Sequence, residues 1–105
     1  MEETKTFPTY FCRNCLIPLA LGEDLLSKSF KASSGPAFMF AHAMNVVVGP
    51  KVERKMITGP YVVADVMCSK CGETIGWKYV ETFSLNQRYK EGMFVLEKLK
   101  MTKKY

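Results

Sequence analysis

Four cysteines fall into two pairs, Cys12-x-x-Cys15 and Cys68-x-x-Cys71, separated by residues 16–67. A Cys-x-x-Cys turn aims two thiolates at one point, and a tetrahedral zinc ion is satisfied by two such turns. Cys12, Cys15, Cys68 and Cys71 are therefore read as the ligands of one structural Zn2+ per chain. Four thiolates leave no open position for water, so the same reading excludes a catalytic zinc. Two disulfides or four unrelated core cysteines are the alternatives, and the paired spacing weighs against both. Gly72 follows the second pair and tolerates the positive φ that turns backbone amides toward the sulfurs. Leu16 stands in the matching place, which makes the first half of the pattern less regular.

Little else in the chain suggests catalysis. There is a single histidine, His42, after Phe38-Met39-Phe40, and it is read as an ordinary strand-end imidazole rather than a base or a fifth ligand. No Ser-His-Asp set is recognisable, and zinc uses all four cysteines, so no free thiol remains as a nucleophile. Trp77, Tyr79 and Phe83 alternate along one segment, which on a strand puts them on one face. They are a candidate ligand or partner pocket, since tryptophan marks either a core or an interface hot spot. Arg88, Lys90, Lys98, Lys100, Lys103 and Lys104 concentrate positive charge toward the C-terminus. That is a candidate phosphate-binding surface, weakened by the interspersed Glu91 and Glu97.

The elements that must position these residues read as strands. Gly-Pro pairs at 35–36, 49–50 and 59–60, with Gly22, Gly72, Gly76 and Gly92, punctuate short β-branched and aromatic segments. Strands are expected from Thr9 to Cys12, Ser27 to Lys31, Ala37 to His42, Val52 to Ile57, Tyr61 to Met67, Ile75 to Phe83 and Met93 to Met101. In the last, Phe94 and Leu96 alternate with Val95 and Glu97, and Leu99 and Met101 oppose Lys98 and Lys100. A helical turn near Gly22 to Leu26 and a loop or single turn from Ser84 to Tyr89 complete an all-β reading.

With 105 residues, 48% of them hydrophobic, the chain fits one domain with a modest core that a metal staple would stabilise. Residues 1–8 and 102–105 read as tails. The acidic N-terminus lacks an apolar stretch, the longest apolar runs are as short as Val46-Val-Val48, and no lipidation signature is found. These features point to an intracellular protein, nuclear or cytoplasmic and neither secreted nor membrane-bound, where thiols favour metal over disulfides. The formal charge is +5; four thiolates on one divalent zinc lower it to about +3, a mild bias for a nucleic-acid binder.

From Ser27 onward the sequence resembles the Yippee family. The resemblance is carried by Ser27-Lys-Ser-Phe30, Gly35-Pro-Ala-Phe-Met-Phe40, Asn45-Val46, Gly49-Pro50, Glu53-Arg54, Thr58-Gly59 and Val63-Ala-Asp-Val66. It continues through the second cysteine pair with Gly76-Trp-Lys-Tyr79, Gln87, Tyr89-Lys-Glu-Gly92 and Glu97. It implies a zinc-bound β-fold of two roughly orthogonal antiparallel sheets, similar to the thalidomide-binding domain of cereblon and to type B methionine sulfoxide reductases. The reductase nucleophile follows a segment like Gly76-Trp-Lys-Tyr79, where this chain has Val80. The matching strand in cereblon supplies part of an aromatic cage. Trp77 and Tyr79 match it, but Ile57 to Val63 holds no tryptophan to complete the cage. The expectation is a non-enzymatic protein-interaction or regulatory module with an unnamed protein partner. The alternative is a weak nucleic-acid binder using the basic C-terminal surface.

Overall fold

A computed structural model describes residues 6–105. Part of the expected N-terminal tail, residues 1–5, therefore lies outside the described residues. Among the described residues, nine strands form two antiparallel sheets. The smaller sheet has the order β2-β1-β9, from Pro18–Leu21, Thr9–Cys12 and Met101–Lys104. The larger has the order β3-β4-β8-β7-β6-β5, from Leu25–Ala32, Gly35–Phe40, Phe94–Glu97, Thr74–Thr82, Gly59–Cys68 and Val46–Met56. Tight turns at residues 33–34 and 57–58 close the β3–β4 and β5–β6 hairpins. Short 3-10 turns occupy Gly22–Asp24, Leu85–Lys90 and Lys98–Lys100. No helix among the described residues is long and apolar enough to cross a membrane.

Strand β4 shows how one strand serves two cores. Phe38 and Phe40 point one way and join Tyr10, Cys12, Leu19, Val66, Cys68, Ile75, Leu96 and Met101 between the sheets. Ala37 and Met39 point the other way, toward Tyr61, Val63, Tyr79 and Val95. Tyr10 binds the first core with edge-on contacts to Phe38 and Phe40, at centroid distances of 6.0 and 5.2 Å. Such aromatic pairs add about 0.5–1.5 kcal/mol beyond the area they bury. The large sheet is thus covered on one face by the small sheet and lined on the other by aromatic residues.

Four expectations change. Gly49-Pro50 does not separate strands: β5 begins at Val46 rather than at the expected Val52 and passes through the pair with a register shift between Val48 and Lys51. Strand β2 has no counterpart among the strands that the sequence predicts. It lacks β-branched residues and begins with Pro18, which a sheet tolerates at the first residue of an edge strand. The segment from Met93 to Met101 is two strands in different sheets. The 3-10 turn at Lys98–Lys100 breaks the alternation and leaves Leu99 half-exposed. Finally, Thr102 to Lys104 are no tail, because Cys12 to Thr9 pair in register with Met101 to Lys104.

Candidate functional site: a four-thiol centre and an aromatic groove

The four cysteines sit at the ends of two strands, one in each sheet, and in the turns that follow them. Cys12 ends β1, and Cys15 lies in the turn leading to β2. Cys68 ends β6, and Cys71 lies in the turn leading to β7. The two turns share one hydrogen-bond pattern. The amides of Leu16 and Gly72 donate to the carbonyls of Cys12 and Cys68, at 2.8 and 2.9 Å. The amides of Cys12 and Cys68 donate to the carbonyls of Ile17 and Glu73, both at 2.8 Å. Leu16 and Gly72 both have positive φ. The first turn is therefore as regular as the second, contrary to what leucine at position 16 suggested.

All four sulfurs lie within 4.8 Å of one another. Cys12 Sγ is 3.7 Å from Cys71 Sγ, and Cys15 Sγ is 3.4 Å from Cys68 Sγ. Disulfide sulfurs would be about 2.05 Å apart, so the thiols are free. A tetrahedral metal held by four thiolates at about 2.3 Å spaces the sulfurs about 3.8 Å apart. The cluster fits that requirement. Burial pushes the Cys12 thiol up to about 12, against the opposing amides of Cys15 and Asn14. The Asn14 side chain and the Glu73 amide hold Cys71 down at about 6. Asn14 and the turn amides thus form an outer shell that favours thiolate at the exposed side of the cluster. His42 lies outside the centre, exposed, with Nδ1 3.5 Å from Asp24 Oδ1.

On the opposite face of the large sheet a groove of about 790 Å³ is lined by Phe30, Met56, Trp77, Tyr79, Tyr89 and Lys90, with polar groups at its rim. Two bulges in β7 aim its side chains. Val66 pairs with Gly76 and Met67 with Thr74, which makes Ile75 the extra residue. Val62 pairs with Glu81 and Val63 with Tyr79, which makes Val80 extra. Each bulge reverses the alternation. Ile75 consequently enters the core between the sheets, whereas Trp77 and Tyr79 face the groove. Phe83 does not join them. It lies beyond the end of β7, is exposed, and is absent from the groove lining. Gly76 permits the close approach of β8, since a Cβ there would stand 1.9 Å from the Val95 carbonyl oxygen.

The sequence places Lys90 on the basic C-terminal surface, but in the fold it is 4% exposed. Its Nζ donates to the Tyr61 hydroxyl at 3.0 Å and to Thr58 Oγ1 at 3.3 Å. The rings of Phe30, Tyr61, Tyr79 and Tyr89 surround it at 5.0 to 5.8 Å. Lys100 is also diverted, pairing with Glu73 at 3.2 Å. The expected basic run is thus divided among a buried amine, an ion pair and exposed residues on separate elements. Lys90 carries no distinguishing signal in the sequence, because its aromatic neighbours come from β3, β6, β7 and the turn before β8.

The family model described as "Yippee zinc-binding/DNA-binding /Mis18, centromere assembly" matches residues 9–104. A yippee-like protein of Arabidopsis thaliana is 79% identical over 105 residues, the full length of both chains. Yippee-like 3 of Danio rerio is 47% identical over 94 residues, 90% of this chain and 79% of its own. The crystal structure of the Mis18 "Yippee-like" domain matches with a TM-score of 0.76, covering 95% of this chain and 97% of that one. At 16% identity this last likeness speaks for the fold alone. With a family model spanning both cysteine turns and a full-length relative at that identity, the chain belongs to the Yippee family.

Proposed function

We propose that this chain is a zinc-stabilised, non-enzymatic interaction module that recognises a protein partner through the groove at Trp77 and Tyr79. One Zn2+ bound by Cys12, Cys15, Cys68 and Cys71 clips the small sheet to the large one. Its coordination shell is filled by protein sulfur, which leaves no site for a reacting water. The sequence holds four cysteines, so none remains as a thiol nucleophile once zinc is bound. Free, metal-binding thiols suit the reducing interior of the cell, nuclear or cytoplasmic.

The observation that carries the recognition reading is the aromatic groove. It has the volume and apolar lining of a binding cleft, and the Trp77 indole N–H is buried in it without a hydrogen-bond partner. A buried, unpaired donor costs stability unless something accepts from it. The family's description also names DNA binding, and the exposed Lys103 and Lys104 on β9 are the natural contacts for that alternative.

The test is capture from cell extract at low and high salt, with circular dichroism confirming that each variant is folded. Protein recognition in a desolvated groove predicts salt-resistant capture that is lost in Trp77→Ala and kept in Lys103→Glu/Lys104→Glu. Nucleic-acid binding predicts steep loss with salt, because neutralised phosphates release counterions. Loss in the tail double mutant with retention in folded Trp77→Ala would overturn the proposal.

A further inference from the structure

Lys90, Trp77 and Tyr79 all line the groove, and within the chain their polar hydrogens meet only neutral hydroxyls, a thioether or no well-placed acceptor. Lys90 is buried, and among the described residues no carboxylate lies within salt-bridge distance of its Nζ. Its oxygen partners, Thr58 and Tyr61, are neutral hydroxyls that also hydrogen-bond each other. The Trp77 N–H has no partner at hydrogen-bonding geometry, although it leans close enough to the Tyr79 hydroxyl to favour that group's ionised form. The Tyr79 hydroxyl itself donates to the Met56 thioether, at 3.7 Å, and sulfur is a weak acceptor.

The nearby acids do not neutralise Lys90. The adjacent Glu91 accepts from the Thr82 amide at 3.0 Å, and of the two acids lining the groove Asp65 is engaged by Arg54 at 3.5 Å and Glu97 accepts from the Ser34 hydroxyl. A buried cation without a counter-ion is expensive to maintain. Its aromatic surroundings offset part of that cost, since a cation is attracted to ring faces. Those same faces are consequently occupied by the chain's own ammonium group, so the rings offer no cage to a cationic guest, and the net positive lining favours an anionic one.

We infer that the groove binds the carboxylate side chain of an acidic residue in an extended segment of a partner protein, with Lys90 as counter-ion and Trp77 and Tyr79 as neutral donors. This rests on the interaction-module reading and specifies the partner's chemistry. The lining carries Lys31, Arg54 and Lys90 against Asp65 and Glu97, three positive charges against two negative, and that net +1 matches a monoanion with two acceptor oxygens. A phosphate dianion would bring more charge and a third acceptor oxygen than this donor set meets. The lining follows β7 from Thr74 to Tyr79, about 17 Å at about 3.3 Å per residue. That length suits a peptide of roughly five residues rather than a small free acid. Ser27, Ser29 and Thr74 at the rim offer polar partners for a peptide backbone.

The chain has one tryptophan, so its indole N–H resonance reports on the site alone. Zinc-loaded protein is titrated with an end-blocked alanine pentapeptide bearing a central glutamate, and separately with its glutamine analogue, butyrate and inorganic phosphate. The expected result is a shift of the Trp77 resonance by the glutamate peptide, with affinity at least tenfold above that for the other three probes. Folded Lys90→Met should lose that preference for glutamate over glutamine. The comparison on the unaltered chain decides the matter even if the variant does not fold. Equal binding of the glutamine peptide overturns the carboxylate assignment and leaves the interaction-module reading intact. Equal binding of butyrate overturns the peptide assignment, and phosphate binding as strongly as the peptide overturns the monoanion argument. No response to the glutamate peptide also overturns the inference, while Trp77-dependent capture from extract judges the interaction-module reading separately.

Discussion

Leu16 and Gly72 are conformational equivalents, with φ of 64° and 77°, each closing a Cys-x-x-Cys turn by donating its amide to the first cysteine's carbonyl. Glycine takes this conformation freely, while an L-residue with a Cβ is strained there by about 1–2 kcal/mol. Leu16 is 57% exposed, so little packing offsets that strain.

Leu16→Gly should therefore stabilise the domain by about 0.5–1 kcal/mol after glycine's entropy in the unfolded chain is subtracted. Gly72→Ala should destabilise it by about 1 kcal/mol. Thermal melts of the zinc-loaded variants, compared with the unaltered chain, check both signs.

Metal removal should unfold the domain. Structural zinc contributes about 10–16 kcal/mol in finger peptides, whereas whole domains are stable by about 5–15 kcal/mol. A strong chelator or Cys68→Ser is expected to abolish the β-sheet circular dichroism signal, and metal analysis of the folded protein should find one zinc per chain. Folded, reduced protein free of zinc would contradict the structural role.

Gly76→Ala should be among the most damaging small substitutions. The added carbon would meet the Val95 carbonyl at 1.9 Å and the Leu96 Cα at 2.9 Å, both backbone atoms that cannot rotate aside. The cost expected from forced separation of β7 and β8 is about 3 kcal/mol. Denaturant unfolding measures it, and a loss under 1 kcal/mol would show that the strands can part without penalty.

Alkali should expose the groove's tyrosine. Burial raises the Tyr79 pKa above its ordinary value of 10, a rise opposed by the Trp77 N–H and the Lys90 charge. A raised acid binds its proton more tightly in the folded state. Its contribution to stability is thus complete below pH 10 and is lost as pH rises through the folded pKa. Tyr79→Phe should flatten the fall in stability above pH 10, and Lys90→Met should move the Tyr79 titration higher still. Ultraviolet tyrosine titration and melts at successive pH values test the two effects.

What the sequence determined by itself was whatever depends on neighbours in the chain. The paired spacing identified Cys12, Cys15, Cys68 and Cys71, because each turn is a local structure with its own hydrogen bonds. Alternation and Gly-Pro punctuation located most of the strands, with β1 matching at both ends. The all-β class was legible on the same grounds, whereas the arrangement into two antiparallel sheets was implied only by the family resemblance.

Tertiary structure decided which way the side chains face and which cations are exposed. A bulge is selected by the partner strand's register, so the extra residues at Ile75 and Val80 leave no mark in a period-two pattern. That is why Trp77 and Tyr79 reach the groove and Phe83 does not. Met101 to Lys104 become a strand only because β1, far away in sequence, offers an open edge. Lys90 looks in sequence like the lysines around it. Its burial follows from four aromatic rings on four separate elements, an environment that exists only once the chain has folded.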